Sequence, residues 1–367
     1  MTANCAGMIS RERVFALLEG NTVDRLPFDL PATPPIEAEC ERRLGTKSLN
    51  DAFGADFKWL SAPFPGDPAR WREVYAQRGL NYPESASIDG LGLVHLRPDR
   101  ASLGDAWHLM EMAHPLAGDW TTAEVDALPW PSYCEADLAA GMMASIAQAK
   151  AEGKVAAVGL ECTVFELAWY LRGMEDLFMD LAMGEGPAEG LLDRMMHRSI
   201  AAARASGMAG ADLVCLGDDV GTQRGMMMSP EQWRSVLKPR LAQVVEAARS
   251  TGVRWIRYHS DGDIRPIIPD LIEIGVNILN PVQPECMNYA DLARQYGQDL
   301  AFFGMIGTQT TMPFGTEAQV RQVTKQLIAD HRRYGYRLIV APTHVLEPDV
   351  PWENIVALVD TLREGAR

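Results

Sequence analysis

The chain has 367 residues, of which 47% are hydrophobic, so it is long enough to bury the core of one large α/β domain or two smaller ones. Its formal net charge of -15 argues against nucleic acid and against an anionic membrane surface as partners. The six cysteines form no C-x-x-C pair, and no uninterrupted run of about 18 apolar residues predicts a membrane span. Charged side chains at positions 11 to 13 do not fit a signal peptide, so we expect a reduced, cytoplasmic protein.

The first third of the chain alternates between short elements and irregular segments. Residues 10–20 predict an amphipathic helix that begins at a serine and ends at a glycine. Residues 26–30 and 57–60 are candidate strands. Residues 31–130 are rich in proline and glycine, and we expect them to form an N-terminal excursion from the main fold. Within that excursion, two stretches predict a hairpin, 91–96 and 107–112.

From residue 136 onward, helices and strands alternate with short connections. The predicted strands are 155–160, 212–216, 253–258, 276–279, 300–305 and 337–341. Such alternation favours a parallel sheet with right-handed crossovers. Together with the two early candidates the count reaches eight, which predicts a (β/α)8 TIM barrel as a single domain over residues 1–367. An open, doubly wound sheet is the alternative, but no glycine-rich nucleotide-binding motif follows any of these strands.

The strand predicted at 253–258 runs directly into His259 and Asp261. In extended chain two side chains spaced by one residue share a face, so this pair offers two metal ligands or two proton carriers. The carboxyl ends of parallel strands are where α/β proteins build their sites. The alternative is structural, because Ser260, Asp261 and Asp263 are all good caps for the helix that follows.

Polar side chains follow the other strands as well, and in a barrel they converge on one mouth. Glu161 and Asp219 follow two strands, and Cys286 and His344 follow two others. We therefore expect His259, Asp261, Cys286 and His344 to be neighbours, a set of N, O and S ligands that zinc accepts. Two histidines and one carboxylate would also suit non-haem iron(II). Alternatively, Cys286 is an inert buried thiol and His344 braces the last loop.

Several motifs along nearly the whole chain resemble the uroporphyrinogen decarboxylase superfamily, which also contains the zinc-dependent methylcobamide:thiol methyltransferases. These motifs are 11–20 (RERVFALLEG), 24–27 (DRLP), 170–175 (YLRGME), 217–221 (GDDVG), 268–283 (IPDLIEIGVNILNPVQ), 303–306 (FGMI), 342–345 (PTHV) and 351–355 (PWENI). The resemblance implies a (β/α)8 barrel, in agreement with the strand count, and a homodimer.

The two branches of that superfamily differ in their functional residues. Decarboxylases carry an arginine-rich N-terminal motif for substrate carboxylates, whereas residues 28–35 here read FDLPATPP. The methyltransferases use a zinc site of the H-x-C…C type. His259 matches its histidine, Asp261 stands at its first cysteine, and His344 stands near its last cysteine. The resemblance therefore implies a harder metal site, in which N and O replace S unless Cys286 restores a sulfur ligand.

These observations predict a zinc-dependent methyltransferase or demethylase that moves a methyl group between a small substrate and a corrinoid or other acceptor. We expect Glu161 and Asp219 to handle protons or bind substrate, and Tyr258 to pack beside the catalytic groups and orient them. A corrinoid would come from a partner protein or from solution, because the chain has no D-x-H-x-x-G motif.

Two other functions remain open at the level of sequence. One is a metal-independent decarboxylase of a small carboxylic acid or a tetrapyrrole, which requires basic residues at the mouth; the candidates are Arg25, Arg172 and Arg224. The other is a non-enzymatic barrel that carries a corrinoid or tetrapyrrole.

Overall fold

The computed structural model describes residues 7–96 and 111–365. Its main sheet has seven parallel strands in the order β1-β5-β6-β9-β10-β11-β12. These strands are β1 (Phe57–Ser61), β5 (Val155–Glu161), β6 (Leu213–Gly217), β9 (Trp255–His259), β10 (Ile278–Asn280), β11 (Ala301–Ile306) and β12 (Leu338–Pro342). Strands β6, β11 and β12 are buried along their whole length, as expected for a parallel sheet that is covered on both faces.

The helices follow the strands in the alternation that the sequence predicts. They are α1 (Ser10–Leu18), α2 (Pro34–Leu44), α3 (Leu49–Phe53), α4 (Pro68–Gln77), α5 (Thr122–Asp126), α6 (Glu135–Ala151), α7 (Phe165–Arg172), α8 (Met174–Met183), α9 (Ala188–Met208), α10 (Pro230–Val236), α11 (Lys238–Ser250), α12 (Ile268–Glu273), α13 (Tyr289–Tyr296), α14 (Thr311–Phe314), α15 (Glu317–Tyr334) and α16 (Trp352–Glu364). Across residues 7–96 and 111–365, none of these helices combines the length and the apolar character needed to cross a membrane.

The main sheet is strongly curled, because side chains from distant strands meet on its inner face. The ring centroids of Phe57 on β1 and Phe303 on β11 lie 5.1 Å apart. The guanidinium of Arg257 on β9 lies over two rings, 4.5 Å from the centroid of Trp59 and 4.7 Å from that of Phe303. Three strands that are far apart in the sheet order therefore share one interior.

Residues 26–30, the first of the eight predicted strands along the chain, do not form a strand in the structure. This segment makes a single parallel bridge, between Phe28 and Val340 of β12. On its other side, the backbone N–H of Asp56 donates to the carbonyl of Phe28 at 3.1 Å. The segment thus lies between the two edge strands of the sheet, but Pro27 and Pro31 lack the N–H groups that a continuous ladder needs. The predicted barrel is accordingly observed as a curled, seven-stranded parallel sheet.

The N-terminal excursion contains a small antiparallel sheet of three strands, β2 (Ser87–Ile88), β3 (Val94–Leu96) and β4 (Glu111–Ala113). Strand β3 pairs with β4 as the predicted hairpin requires, with Val94 opposite Ala113. Residues 107–110 of the predicted hairpin lie outside the described part of the chain. A second small hairpin, β7 (Gly221–Thr222) and β8 (Gly225–Met226), follows β6.

Candidate functional site

The end of β9 presents two polar side chains to the inner face of the sheet. Arg257 and His259 share that face, because side chains alternate along a strand. Tyr258 points to the opposite face, is 1% exposed, and donates its hydroxyl to the carbonyl of Asp218 at 3.3 Å. Its contacts are those of a packing residue, and burial raises its pKa well above the ordinary value.

His259 meets two carboxylates that arrive on different loops. Its Nε2 lies 3.7 Å from Oδ1 of Asp219, which follows β6, and 3.9 Å from Oδ1 of Asp261, which follows β9. One ligand-type atom from each of the three side chains falls within 4.8 Å of the other two. We call Asp219, His259 and Asp261 the acidic cluster.

The orientation of the His259 ring is set by the neighbouring strand. His259 and Asn280 are register partners on β9 and β10, and the ring Nδ1 lies 2.6 Å from Oδ1 of Asn280. The amide Nδ2 of Asn280 donates to the carbonyl of Phe303 at 2.9 Å, which assigns the Asn280 oxygen to the histidine. Nδ1 therefore carries the proton, and Nε2 faces the two aspartates as an acceptor or a ligand.

Two glycines allow the loops that carry the aspartates to touch each other. The N–H of Asp261 donates to Oδ1 of Asp219 at 2.7 Å. A Cβ atom on Gly221 would lie 2.6 Å from the carbonyl oxygen of Asp261. A Cβ atom on Gly262, whose φ is +80°, would lie 2.5 Å from the carbonyl carbon of Gly221. The acidic cluster is therefore held by direct contact between two backbones.

The capping alternative applies to Asp263 rather than to Asp261. The N–H of Arg265, at the start of the 3-10 turn Arg265–Ile267 that leads into α12, donates to Oδ1 of Asp263 at 3.2 Å. Asp261 instead lines the cavity together with His259 and Asp219.

A further carboxylate, Glu166 on α7, lies directly behind the acidic cluster. Its Oε2 accepts the N–H of Asp219 at 3.0 Å, and its Oε1 accepts the hydroxyl of Tyr170 at 3.0 Å. Burial and the charge of Asp219 raise the pKa of Glu166 to about 7. Burial lowers the pKa of His259, but the charges of Asp219 and Asp261 outweigh it, so that the net shift is upward. This part of the cavity favours a proton or a cation.

Glu161, at the end of β5, is held by Arg257 of β9. Nη2 of Arg257 donates to Oε1 of Glu161 at 2.7 Å, and Nε of Arg257 donates to the thiol of Cys215 at 2.8 Å. Burial raises the pKa of Glu161, but the charge of Arg257 outweighs it and the net shift is downward. Glu161 is therefore an ionised acceptor with a fixed orientation.

The acidic cluster lines one cavity of about 770 Å³ at the carboxyl end of the sheet, together with Glu161, Glu166, Arg257 and Asn280. Aromatic rings form much of its wall, from Trp59, Trp169, Tyr170 and Phe303. The loop after β12 contributes His344, which lines the cavity but does not join the acidic cluster.

Cys286 does not line this cavity. Its thiol donates to Oε1 of Gln283 at 3.4 Å, and the same oxygen accepts the N–H of Gly262 at 2.7 Å. Burial and the charge of Glu285 raise the pKa of the Cys286 thiol, which favours its neutral form. The thiol is therefore connected to the Asp261 loop through a glutamine side chain.

The three arginines that the sequence offers as candidates for a decarboxylase lie away from the cavity, which is lined instead by Arg257. Arg25 pairs with Asp56 at 2.7 Å, and Arg172 pairs with Asp180 at 3.0 Å. Arg224 is exposed in the turn between β7 and β8. None of these three is among the residues that line the cavity.

Comparison with known proteins gives a family for this chain. A model of the uroporphyrinogen decarboxylase (URO-D) family matches residues 119–365, which is more than half of the chain. The chain belongs to the URO-D family. No curated protein matches this URO-D chain.

Solved structures support the fold of this URO-D family member. A methyltransferase from Methanosarcina mazei matches with a TM-score of 0.69 and 19% identity, and the match covers 97% of this chain and 99% of the other. A B12-independent methionine synthase from Shewanella sp. W3-18-1 matches with a TM-score of 0.42 and 11% identity, over 65% of this chain and 67% of the other. The first match shows a shared fold; the second is too distant to carry an argument.

The sequence analysis assigned no role to three residues of this URO-D site, Glu166, Asn280 and Arg257, although Asn280 directly follows a predicted strand. Glu166 is the second residue of α7, five positions after the end of β5, and only the fold brings it to Asp219. Arg257 and Asn280 had a signal. Each is a polar residue at a buried position of a central strand, a pattern that indicates an inward-facing functional group.

Proposed function

We propose that this protein is a metal-dependent methyltransferase, which moves a methyl group between a small substrate and a corrinoid or another acceptor. The observation that carries the proposal is the acidic cluster, in which Nε2 of His259 faces the carboxylates of Asp219 and Asp261 on the wall of a large cavity. Zinc is the metal we favour, because it accepts nitrogen and oxygen ligands and its catalytic sites use three protein ligands. Membership of the URO-D family and the fold shared with a methyltransferase support this choice of reaction.

The spacing of the acidic cluster fits a single ion. Ligand atoms that each bind zinc at about 2.1 Å lie about 3.4 Å apart in a tetrahedral site. The Nε2–Oδ1 distances of 3.7 and 3.9 Å are close to that value. Asn280 supplies the hydrogen-bond acceptor that a metal-binding histidine generally requires on its other nitrogen. A divalent ion would also neutralise two carboxylates that burial holds close together.

Bound at this position, the metal would act as a Lewis acid on a heteroatom of the methyl donor or acceptor. Glu166, whose pKa is raised to about 7, can hold a proton near neutral pH and release it to a group beside Asp219. Glu161, kept ionised by Arg257, can accept a hydrogen bond from the substrate. The aromatic wall would exclude water from the reacting groups.

His344 and Cys286 complete the proposed ligand set as sources of a fourth ligand. His344 lines the cavity, and Cys286 reaches the Asp261 loop through Gln283. A corrinoid would be delivered by a separate protein or from solution, since the chain carries no corrinoid-binding motif of its own.

The test is metal content and methyl transfer in wild-type protein and in His259→Ala. We expect about one metal ion per wild-type chain and its loss in the variant, together with loss of methyl transfer to a corrinoid acceptor. His331→Ala is the matched control, because His331 lies on α15 and bonds the carbonyl of Tyr336. Methyl transfer at the full rate by metal-free His259→Ala would overturn the proposal. Turnover of a small carboxylic acid that survives a chelator would favour the decarboxylase instead.

A further inference from the structure

Arg198, on the helix α9, is a largely buried arginine to which no described residue offers a hydrogen bond or an ion pair. Its Nη1 nitrogen is fully buried and has no acceptor within residues 7–96 and 111–365. The guanidinium carbon lies 3.5 Å from the ring centroid of Phe64, so the main contact of this charge is an aromatic face. Burial lowers the pKa of Arg198, in keeping with a cation to which the described part of the chain offers no counter-ion.

An unpaired buried cation is costly, and native proteins rarely keep one without a purpose. The charge of Asp89 acts on Arg198, but the two residues form no ion pair. One oxygen of Asp89 instead accepts the N–H groups of Leu91 and Leu93, both at 2.9 Å. Arg194, one turn earlier on α9, shows the ordinary arrangement, because its Nη2 donates to Asp126 at 2.7 Å.

Arg198 does not itself line the large cavity, but the turn of α9 that carries it packs against a loop that does. The hydroxyl of the adjacent Ser199 donates to the carbonyl of Thr163 at 2.6 Å, which fixes this turn of α9 against the loop after β5. Cys162, the neighbour of Thr163, lines the cavity. Phe64 lies in the loop after β1, so the guanidinium is at the same end of the sheet as the acidic cluster.

Tyr133 provides a second donor beside Arg198. Its ring packs edge-on against Phe64 with the centroids 6.4 Å apart, and its hydroxyl makes no hydrogen bond with any described residue. Burial raises the pKa of Tyr133 to about 12, so the hydroxyl keeps its proton at neutral pH. A guanidinium and a phenol with free donors form a pair suited to one oxyanion.

We propose that Arg198 and Tyr133 form a subsite beside the cavity that binds the carboxylate or phosphate group of the small-molecule substrate. Only the assignment of the bound group to a substrate rests on the proposed function; anion binding itself does not. The subsite would anchor one end of the substrate through a two-pronged contact to the guanidinium, while the cavity holds the other end near the acidic cluster. The proposal therefore predicts a substrate with an anionic group at one end.

The test measures the unfolding temperature of wild-type protein as acetate or inorganic phosphate is added at constant ionic strength, with chloride as the reference salt. A site that binds an anion raises this temperature in a concentration-dependent way, which yields an apparent Kd. We expect that Kd to rise about tenfold or more in Arg198→Met, because a charge-assisted hydrogen bond is lost. Arg194→Met is the matched control, with the same helix and the same charge change, and we expect its Kd to equal that of wild type.

Each outcome decides the proposal. Stronger binding of acetate indicates a carboxylate substrate, and stronger binding of phosphate indicates a phosphorylated one; both support the subsite. No anion effect in wild type, or an equal effect in Arg198→Met, would overturn it. If Arg198→Met does not fold, Arg198→Lys and Tyr133→Phe decide, since both must weaken binding. Metal content is measured on the same samples, so a wild-type protein that binds anion without metal would refute the methyltransferase and leave the subsite standing.

Discussion

Carboxylates at the two ends of the main sheet differ in whether they are paired with cations. At the amino end, Asp56 precedes β1 and is fully buried, and two arginines bind it: Nη1 of Arg13 at 2.6 Å and Nη1 of Arg25 at 2.7 Å. Asp212 precedes β6 and is bound by Nη2 of Arg11 at 2.9 Å and by Lys150 at 3.3 Å. Each buried acid at this end has its own cations.

At the carboxyl end, the acids outnumber the cations and lie against one another. Asp219 and Asp261 both lie beside the imidazole of His259, and Glu166 accepts a hydrogen bond from the backbone N–H of Asp219. The contrast indicates that charge at the amino end stabilises the fold, whereas charge at the carboxyl end is kept for binding. Like charges that lie close together repel and lower the free energy of unfolding, and enzymes commonly have such charges at functional sites.

The largest expected effect comes from breaking a pair at the amino end. Arg13→Met leaves part of the Asp56 charge buried without its partner, and we expect it to lower the free energy of unfolding by about 3 to 5 kcal/mol. Urea denaturation measures this loss. Arg42→Met is the control, because its pair with Glu39 is exposed and should contribute little. An equal response of the two variants would contradict the stabilising role of the amino end.

The next effect concerns the ring orientation of His259. Asn280→Ala removes the acceptor of the Nδ1 proton, and we expect the affinity for zinc to fall about 10- to 100-fold. Competition with a chromophoric chelator measures that affinity. Asn277→Ala tests the same residue type before β10, where Asn277 binds the N–H of Ile256 at 2.8 Å. We expect Asn277→Ala to cost stability and to leave zinc affinity unchanged.

Replacing an aspartate by asparagine should change the free energy of unfolding by a smaller amount, with opposite signs at the two ends of the sheet. In metal-free protein, Asp219→Asn should raise the free energy of unfolding by about 1 kcal/mol, because it removes one of the crowded charges and keeps an oxygen for the N–H of Asp261. Asp212→Asn should lower it, because Arg11 and Lys150 lose their partner. Denaturation in the presence of a chelator compares the two, and a loss of stability in both would refute the crowding argument.

The smallest effect is a pH dependence at the amino end. Burial raises the pKa of Asp24, but hydrogen bonds and charge from Arg13 outweigh it, so the net shift is downward. The stability that this pair contributes is therefore complete above the ordinary carboxyl pKa of about 3.9 and is lost as the pH falls through the lower pKa of the folded chain. We expect Asp24→Asn to reduce the loss of unfolding free energy between pH 5 and pH 3, as followed by urea titrations at each pH.

Much of the fold could be predicted from the alternation of apolar segments alone. The strand predicted at 155–160 is observed as Val155–Glu161, and the strand predicted at 300–305 is observed as Ala301–Ile306. Burial on both faces makes such strands continuous apolar runs, which are easily recognised. Residues 26–30 look similar in sequence, but their flanking prolines remove the hydrogen-bond donors that define a strand.

Sequence could predict which site residues lie at the carboxyl ends of strands, and therefore near one another, but not their contacts. His259 and Asp261 were predicted as neighbours, and Asp219 was predicted at the same mouth as a proton carrier. The contact between Asp219 and His259 depends on how closely two loops approach, which a sequence does not reveal. Cys286 follows β10 by six residues, and over that distance the direction of a loop is set by tertiary contacts such as the bond from Cys286 to Gln283. His344 follows β12 by only two residues, and it lines the cavity.

Gly221 and Gly262 have a consequence for how this site can change. Because main-chain contact holds the two loops together, we expect their shape to change little when the side chain at position 261 is replaced. The scaffold and the ligand atoms it presents are thus separable. Exchange of Asp261 for cysteine would then shift the proposed metal site from hard towards soft metals, with the architecture left in place.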